Sequence, residues 1–159
     1  MTETTMPETP NETVLANARP EIAAWFDGFL ARHGGFAGSV HLAREGGLVL
    51  VAARNLPPAI QNAVAFVTIG KGVAGVAAET KEPVVLRDVQ TDDSGVVRPR
   101  AKSIGTRGSV CLPVLGAERE VLAVVGIGFS DERLFTDEEV AAYHADAATV
   151  LGVHPRAAD

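Results

Sequence analysis

Two pairs of strand-like runs, each joined by a short turn, set the main constraint on how this chain can fold. The first pair spans residues 36–44 and 48–54, and the glycines of the Glu-Gly-Gly turn between them can take the positive φ of a hairpin. The second pair spans residues 108–115 and 121–129 and is rich in Val, Ile and Leu, as buried central strands are. Such hairpins predict an antiparallel sheet.

Helical periodicity lies on both sides of these strands. Apolar residues recur every three or four positions from Val14 to Leu30, and Pro20 is expected either to begin the helix proper or to kink a short turn before it. Near the other end, Thr136 and Glu139 form a capping box ahead of a second apolar face. Strands clustered between terminal helices predict an α+β fold with helices packed on one face of the sheet.

Smaller elements are expected between the two hairpins. The pattern predicts a short helix or a turn over residues 59–65, short helices over residues 73–79 and 99–105, and a short strand over residues 84–86. A polar loop is expected over residues 90–98.

The length of 159 residues is that of a single domain. Residues 1–11 are polar and lack apolar periodicity, so we expect a mobile tail there, one domain over residues 12–152 and a second tail over residues 153–159. So few residues follow the last helix that no effector is expected within this chain. A signal would then pass to a separate polypeptide.

The net charge and the hydropathy pattern argue against two classes of partner, nucleic acids and membranes. The net charge is −6 and no basic run is present, which argues against direct binding of nucleic acid. No apolar run approaches the ~20 residues that span a bilayer, and the amino terminus lacks a signal-peptide pattern. We therefore expect a cytoplasmic protein without membrane contact.

A glycine motif at residues 70–75 reads Gly-x-Gly-x-x-Gly and follows an apolar stretch, as in a dinucleotide-binding fingerprint. The spacing argues against that interpretation, because only about eight residues separate Gly75 from Pro83, whereas a parallel crossover needs a dozen or more. The glycines fit better as a tight turn into a short helix. The first amides of that helix, at residues 72–75, either point into a cavity or only close the turn.

Four segments in order resemble the GAF domain family. Residues 67–89 (VTIGKGVAGVAAETKEPVVLRDV) resemble its central turn, short helix and following strand. Residues 50–57 (LVAARNLP), 107–114 (RGSVCLPV) and 121–127 (VLAVVGI) resemble three of its strands. The resemblance covers about residues 14–151. It implies a central antiparallel sheet of five or six strands, with terminal helices on one face and a pocket of short helices and loops on the other.

The resemblance also implies where a small molecule would bind. The pocket wall would come from residues 69–75, Asp88, the loop over residues 90–107 and inward residues of the following strand. Arg100, Lys102 and Arg107 could pair with an anionic ligand or lie in solvent, and an arginine could do so in a two-pronged way. The expected pocket residues are Ile69, Gly70, Gly72, Gly75, Asp88, Arg100, Arg107, Ser109 and Cys111.

Cofactor and catalytic signals are weak. Cys111 is the single cysteine, so it has no partner for a disulfide, a zinc site or thiol redox chemistry. Free methionine sulfoxide reductases resemble stand-alone GAF domains but depend on several cysteines. Haem is conceivable through a histidine, yet each is expected to be a surface or hydrogen-bonded residue. The four histidines are His33, His41, His144 and His154.

Three functions stay open at this point. The leading hypothesis is a non-catalytic sensory domain that binds a small molecule and signals through a homodimer of its terminal helices or through a separate effector. The second is a ligand-free dimerisation or scaffold domain. The third is an enzyme similar to the sulfoxide reductases. No cofactor is assigned.

Overall fold

The computed structural model describes residues 9–91 and 105–153. The helices and strands follow one another in a helix–hairpin–small elements–hairpin–helix order. They are α1 (Glu12–Asn17), α2 (Pro20–His33), β1 (Ala37–Arg44), β2 (Gly47–Arg54), α3 (Pro58–Ala63), β3 (Phe66–Thr68), α4 (Gly72–Thr80), β4 (Val84–Leu86), β5 (Ser109–Leu115), β6 (Val121–Gly128), α5 (Asp137–Ala147) and α6 (Val150–Val153).

All six strands form one sheet in the order β3-β2-β1-β6-β5-β4, and every neighbouring pair is antiparallel. The predicted α+β class and antiparallel sheet are confirmed. Since no parallel crossover joins these strands, the glycine motif at residues 70–75 does not belong to a dinucleotide-binding unit. Among the described residues, the two long hairpins β1–β2 and β5–β6 form the centre of the sheet.

The first hairpin turn differs in one detail from the expectation. Positive φ values are taken by Glu45 (39°) and Gly46 (84°), as a two-residue turn of this type requires. Gly47 is already part of β2. Its role is steric, because a Cβ there would overlap the ring of Phe66 on β3.

One face of the sheet carries the main core. The central strands present large aliphatic side chains there, including Val40, Leu112 and Val125. Helix α2 covers them with Phe26 and Phe29, both fully buried, and α5 adds Tyr143 and Ala147. Burying a large apolar side chain contributes about 1.5–3 kcal/mol, so this layer supplies much of the stability.

The ends of the helices follow local sequence signals. Pro20 is the first residue of α2, and α1 is a separate short helix before it, as one of the two expected arrangements had it. Asn11 caps α1 by accepting a hydrogen bond from the amide of Val14 at 3.0 Å. The capping box of Thr136 and Glu139 at the start of α5 is confirmed.

The predicted tails lie mostly outside the described residues. Residues 1–8 and 154–159 are not described, and neither are residues 92–104, which include most of the expected helix over residues 99–105. Within the predicted first tail, Asn11 is the cap of α1, and α6 extends to Val153 at the start of the second. No described helix combines the length and apolar character needed to cross a membrane.

Two glycines on the central strands allow a matched test of this packing. A Cβ on Gly38 would overlap the carbonyl oxygen of Gly126 and lie 2.8 Å from the ring of Phe26, whereas a Cβ on Gly126 would have no contact closer than 3.8 Å. We expect Gly38→Ala to lower the free energy of unfolding by about 1–3 kcal/mol, the usual effect of overpacking. Gly126→Ala should leave it unchanged or raise it by up to about 1 kcal/mol.

Urea unfolding followed by the fluorescence of the single tryptophan, Trp25, would measure both changes. Equal losses of stability in the two variants would contradict the assigned faces of the sheet.

Candidate functional site

A cavity of about 520 Å³ lies on the face of the sheet opposite α2 and α5. Its floor comes from β1, β6 and β5, and its walls come from α3, β3 and the beginning of α4. This volume is within the range of pockets that hold small organic molecules.

The cavity exists because the sheet presents small residues at this point. Register places Ser39, Gly126 and Cys111 side by side across three strands. The next row joins Ala37, Gly128 and Ser109 in the same way. The members of these rows have small side chains or none, so part of the space between sheet and wall stays open.

Further along the same face the side chains are larger and the space is closed. Leu48 and Val124 pack there against Ala77 and Ala78 of α4, and Cys111, at the boundary with the open floor, belongs to the same cluster. Helix α4 is thereby anchored at its middle, while its first turn borders the cavity.

The walls are mainly apolar. Leu56, Ile60, Val64 and Phe66 form the side that α3 and β3 contribute. Val73 of α4 and Leu86 of β4 continue this surface. A bound molecule would therefore bury most of its surface against hydrocarbon.

The beginning of α4 is the main polar feature of the wall. Within the described residues, the amides of Gly72, Val73 and Ala74 have no hydrogen-bond acceptor, and the capping residue Lys71 provides no side-chain cap. Unpaired amides at a helix start favour an anion or a carbonyl oxygen. Lys71 is also the only charged residue among the described residues that line the cavity.

His41 is the second polar feature. It lies on β1, lines the cavity and is 2% exposed. Its Nε2 lies 3.0 Å from the carbonyl oxygen of Val64, whereas its Nδ1 is buried and has no hydrogen-bond partner among the described residues. A carbonyl only accepts, so Nε2 carries the proton and Nδ1 is a bare acceptor.

The environment of His41 keeps it neutral. Burial lowers its pKa to about 4, and the hydrogen bond to Val64 only partly opposes that effect. An unsatisfied buried acceptor costs about 1–3 kcal/mol. Groups of this kind are rare in folded proteins and need an explanation.

Three of the nine residues expected at the pocket line this cavity. They are Gly72, Ser109 and Cys111. Ile69 is one residue beyond the lining Thr68 and is 36% exposed.

Gly70 and Gly75 do not line the cavity. They stabilise the turn before α4. The amide of Gly70 donates to the carbonyl of Gly75 at 2.8 Å, and a Cβ on Gly75 would lie 2.6 Å from the carbonyl oxygen of Thr68. Gly70 has a φ of 91°, which a side chain would strain.

Asp88 and Arg107 bind each other. The guanidinium donates from Nε to Oδ1 at 3.2 Å and from Nη2 to Oδ2, and these hydrogen bonds are the main reason that the pKa of Asp88 is lowered. Neither residue lines the cavity, although their neighbours Val89 and Thr106 do. The pair fixes the strand end near the cavity. Arg100 and Lys102 lie outside the described residues.

Cys111 is a buried thiol whose ionisation is disfavoured. It is 5% exposed, and burial raises its pKa to about 12. In the described part of the chain, no group of three or more His, Cys, Asp or Glu side chains is arranged to hold a metal ion.

The profile of the GAF domain matches residues 27–148, which is most of the chain. The chain belongs to the GAF domain family. The cavity lies on the face of the sheet where the sequence resemblance placed a pocket. A comparison with curated proteins finds no match.

Solved structures with the same fold include both sensors and enzymes. A protein described as a GAF sensor from Burkholderia vietnamiensis is 21% identical, with 89% of this chain and 80% of that chain covered and a TM-score of 0.60. The GAF domain of an Acinetobacter phosphoenolpyruvate-protein phosphotransferase is 16% identical, with 83% and 78% covered and a TM-score of 0.65.

A type II free methionine-R-sulfoxide reductase from Thermoplasma acidophilum is 15% identical, with 90% of this chain and 97% of that chain covered and a TM-score of 0.62. At such identities the likeness shows the fold alone. It therefore leaves the choice between sensor and enzyme to the residues of this GAF domain.

The three described histidines of this GAF domain are each hydrogen-bonded, as expected. His33 bonds Asp146 at 2.7 Å and His144 bonds the carbonyl of Pro113 at 2.7 Å, as expected of hydrogen-bonded residues. His154 lies outside the described residues. His41 is also hydrogen-bonded, through Nε2 to Val64, but it is buried and its Nδ1 has no partner among the described residues. The missing partner of Nδ1 depends on tertiary contacts, which the strand pattern around His41 does not reveal.

The lowered pKa of His41 predicts a defined pH dependence of stability. The unfolded chain binds a proton at this residue below about pH 6.5, whereas the folded chain does so only below about pH 4. The free energy of unfolding should therefore fall as the pH drops from 6.5 to 4. Below pH 4 this residue should cause no further change. The expected loss is about 3 kcal/mol.

Urea titrations of the wild type and His41→Gln across this range would test the effect, because glutamine gains no proton. Parallel pH profiles for the two proteins would show that His41 is not held neutral in the fold.

Burial of Cys111 predicts slow modification. At pH 7.5 the native protein should react with a disulfide reagent about a thousandfold more slowly than the urea-unfolded protein, because so little thiolate is present. Absorbance of the released thiol measures both rates. A native rate within tenfold of the unfolded rate would mean that Cys111 is an activated, accessible thiol.

Proposed function

We propose that this chain is a non-catalytic sensory GAF domain that binds a small molecule in the cavity above β1, β6 and β5. The observation that supports this proposal is the open floor of small residues beneath apolar walls, with unpaired amides at one end. A ligand-free domain would gain stability by filling this space with larger side chains.

The charge of the lining favours an anionic or neutral ligand. Lys71 and the first amides of α4 are the positive groups, and no acidic side chain lines the cavity within the described residues. A carboxylate or a similar oxyanion at the start of α4, attached to an apolar body, would match both the charge and the walls.

Catalysis by the route of the sulfoxide reductases has less support. That route needs a reactive thiol and further cysteines, whereas Cys111 is the single cysteine and its pKa is raised to about 12. We propose that Cys111 serves as part of the cavity floor.

The signal would leave through the helices on the other face. Strands β1, β5 and β6 form the cavity floor on one face and contribute to the main core on the other. If a ligand displaces these strands, the surface against which α2 and α5 pack moves with them. Val153 on α6, the helix whose Val150 belongs to the main core, is 36% exposed and offers an apolar contact to a second copy or a separate effector.

A cavity-filling variant tests the proposal. Gly126→Val adds a side chain in the middle of the floor, where a Cβ has room beside Ser39 and Cys111. In a thermal-shift screen of small organic acids, we expect compounds that raise the melting temperature of the wild type by several degrees. The same compounds should leave Gly126→Val unchanged, because the added methyl groups occupy their place.

Gly152→Ala is the control, since it adds a methyl group in open space on α6, outside the cavity. It should respond as the wild type does. The absence of any stabilising compound, or an equal response from Gly126→Val, would count against a ligand in this cavity. A stable dimer in sedimentation together with no ligand would favour the scaffold function.

A further inference from the structure

We propose that the ligand of this cavity carries an uncharged O–H or N–H group and donates it to Nδ1 of His41. This inference rests on the proposed function and specifies the chemical class of the ligand. The proposed function requires an acid group on an apolar body, and this inference adds a second polar group that must donate a hydrogen bond.

The sense of this hydrogen bond follows from the tautomer. The carbonyl of Val64 engages Nε2 at 3.0 Å and can only accept, so the ring proton is fixed on that nitrogen. Nδ1 is left with a lone pair, and no donor reaches it among the described residues. A ligand that presented another acceptor here would face repulsion. A donor would satisfy the buried group.

The donor should be uncharged. An ammonium group beside His41 would lie in an apolar cavity whose described lining offers no carboxylate to balance it, and Lys71 would repel it. A phenolic or alcoholic hydroxyl, or the N–H of an amide or of an indole-like ring, brings a proton without a charge.

Together with the start of α4, His41 defines a ligand with two different ends. The unpaired amides of Gly72, Val73 and Ala74 favour an oxyanion or carbonyl oxygen, and His41 favours a donor. The apolar walls fill the space between them. The class is a small, mainly apolar acid that carries a hydroxyl or an N–H group.

Access to Nδ1 requires a small movement. His41 lines the cavity, but its Nδ1 is buried. The donor would reach it after a displacement of the neighbouring wall that leaves the hydrogen bond between Nε2 and Val64 in place. The hydrogen bond to Val64 links that movement to the chain between α3 and β3.

Matched pairs of compounds test the donor directly. We would titrate hydroxyphenylacetate isomers against their methoxy counterparts, and indoleacetate against its N-methyl derivative, by calorimetry with the full chain. Phenylacetate and phenethylamine serve as the donor-free acid and the cationic amine. In the wild type, the donor-bearing acids should bind about tenfold more tightly than their methylated partners.

Two substitutions at His41 separate its nitrogens. His41→Gln places an amide nitrogen near the position of Nε2 and can keep the bond to Val64, but it removes the acceptor near the ring's attachment. His41→Asn places an oxygen near the position of Nδ1 instead. The ratio of the affinity for a donor-bearing acid to that for its methylated partner should fall to about one in His41→Gln. In His41→Asn it should stay well above one.

A spectroscopic readout makes the test independent of affinity. In ¹⁵N-labelled protein, the Nδ1 resonance of His41 should shift on adding a donor-bearing acid and stay in place with the methylated partner. The Nε2 resonance should remain that of a protonated nitrogen in both cases.

The outcomes distinguish this inference from the proposed function. Acids that bind with equal affinity whether or not they are methylated, or an equal preference in His41→Gln, would overturn the role of His41 and leave the ligand-binding function intact. Tighter binding of phenethylamine would overturn the uncharged donor. Failure of every acid in the panel to bind the wild type would count against both.

Discussion

The alternation of side chains along β1, β5 and β6 is the constraint on which the rest of the structure depends. Each strand must serve two faces at once, because successive side chains point to opposite sides of a sheet. On one face, Val40, Leu112 and Val125 pack in the main core with the aromatic residues of α2. On the other face, the small residues Ser39, Cys111 and Gly126 lie side by side and leave the cavity open above them. One helical layer therefore packs tightly while the opposite layer stays apart from the sheet.

The open face is stable because its costs are confined to a few groups. Helix α4 is fixed by its small residues Ala77 and Ala78 against Leu48 and Val124, so its first turn can stand over the cavity without collapsing into it. In the described part of the cavity lining, the first amides of α4 and one nitrogen of His41 have no partner. The Asp88–Arg107 pair holds the neighbouring strand ends in place. These unpartnered groups therefore face the space where a ligand would bind.

Most of the fold could be predicted from local sequence signals. Alternation, the glycine turn at residues 45–47, Pro20 and the capping box at Thr136 each act over a few residues, so they can be recognised without tertiary information. The cavity residues could be predicted only in part. Ser109 and Cys111 follow from strand alternation, but the mutual neutralisation of Asp88 and Arg107 and the half-satisfied state of His41 arise from segments distant in sequence.

The separation of the two faces also bears on how such a domain can diverge. Substitutions at positions 39, 109, 111 and 126 change the shape and polarity of the floor, while the residues beside them on each strand keep their contacts with the helices. Selection can therefore alter what the domain recognises without first rebuilding its core. Descendants of one ancestral chain can acquire new specificities by single steps, each of which preserves a folded protein.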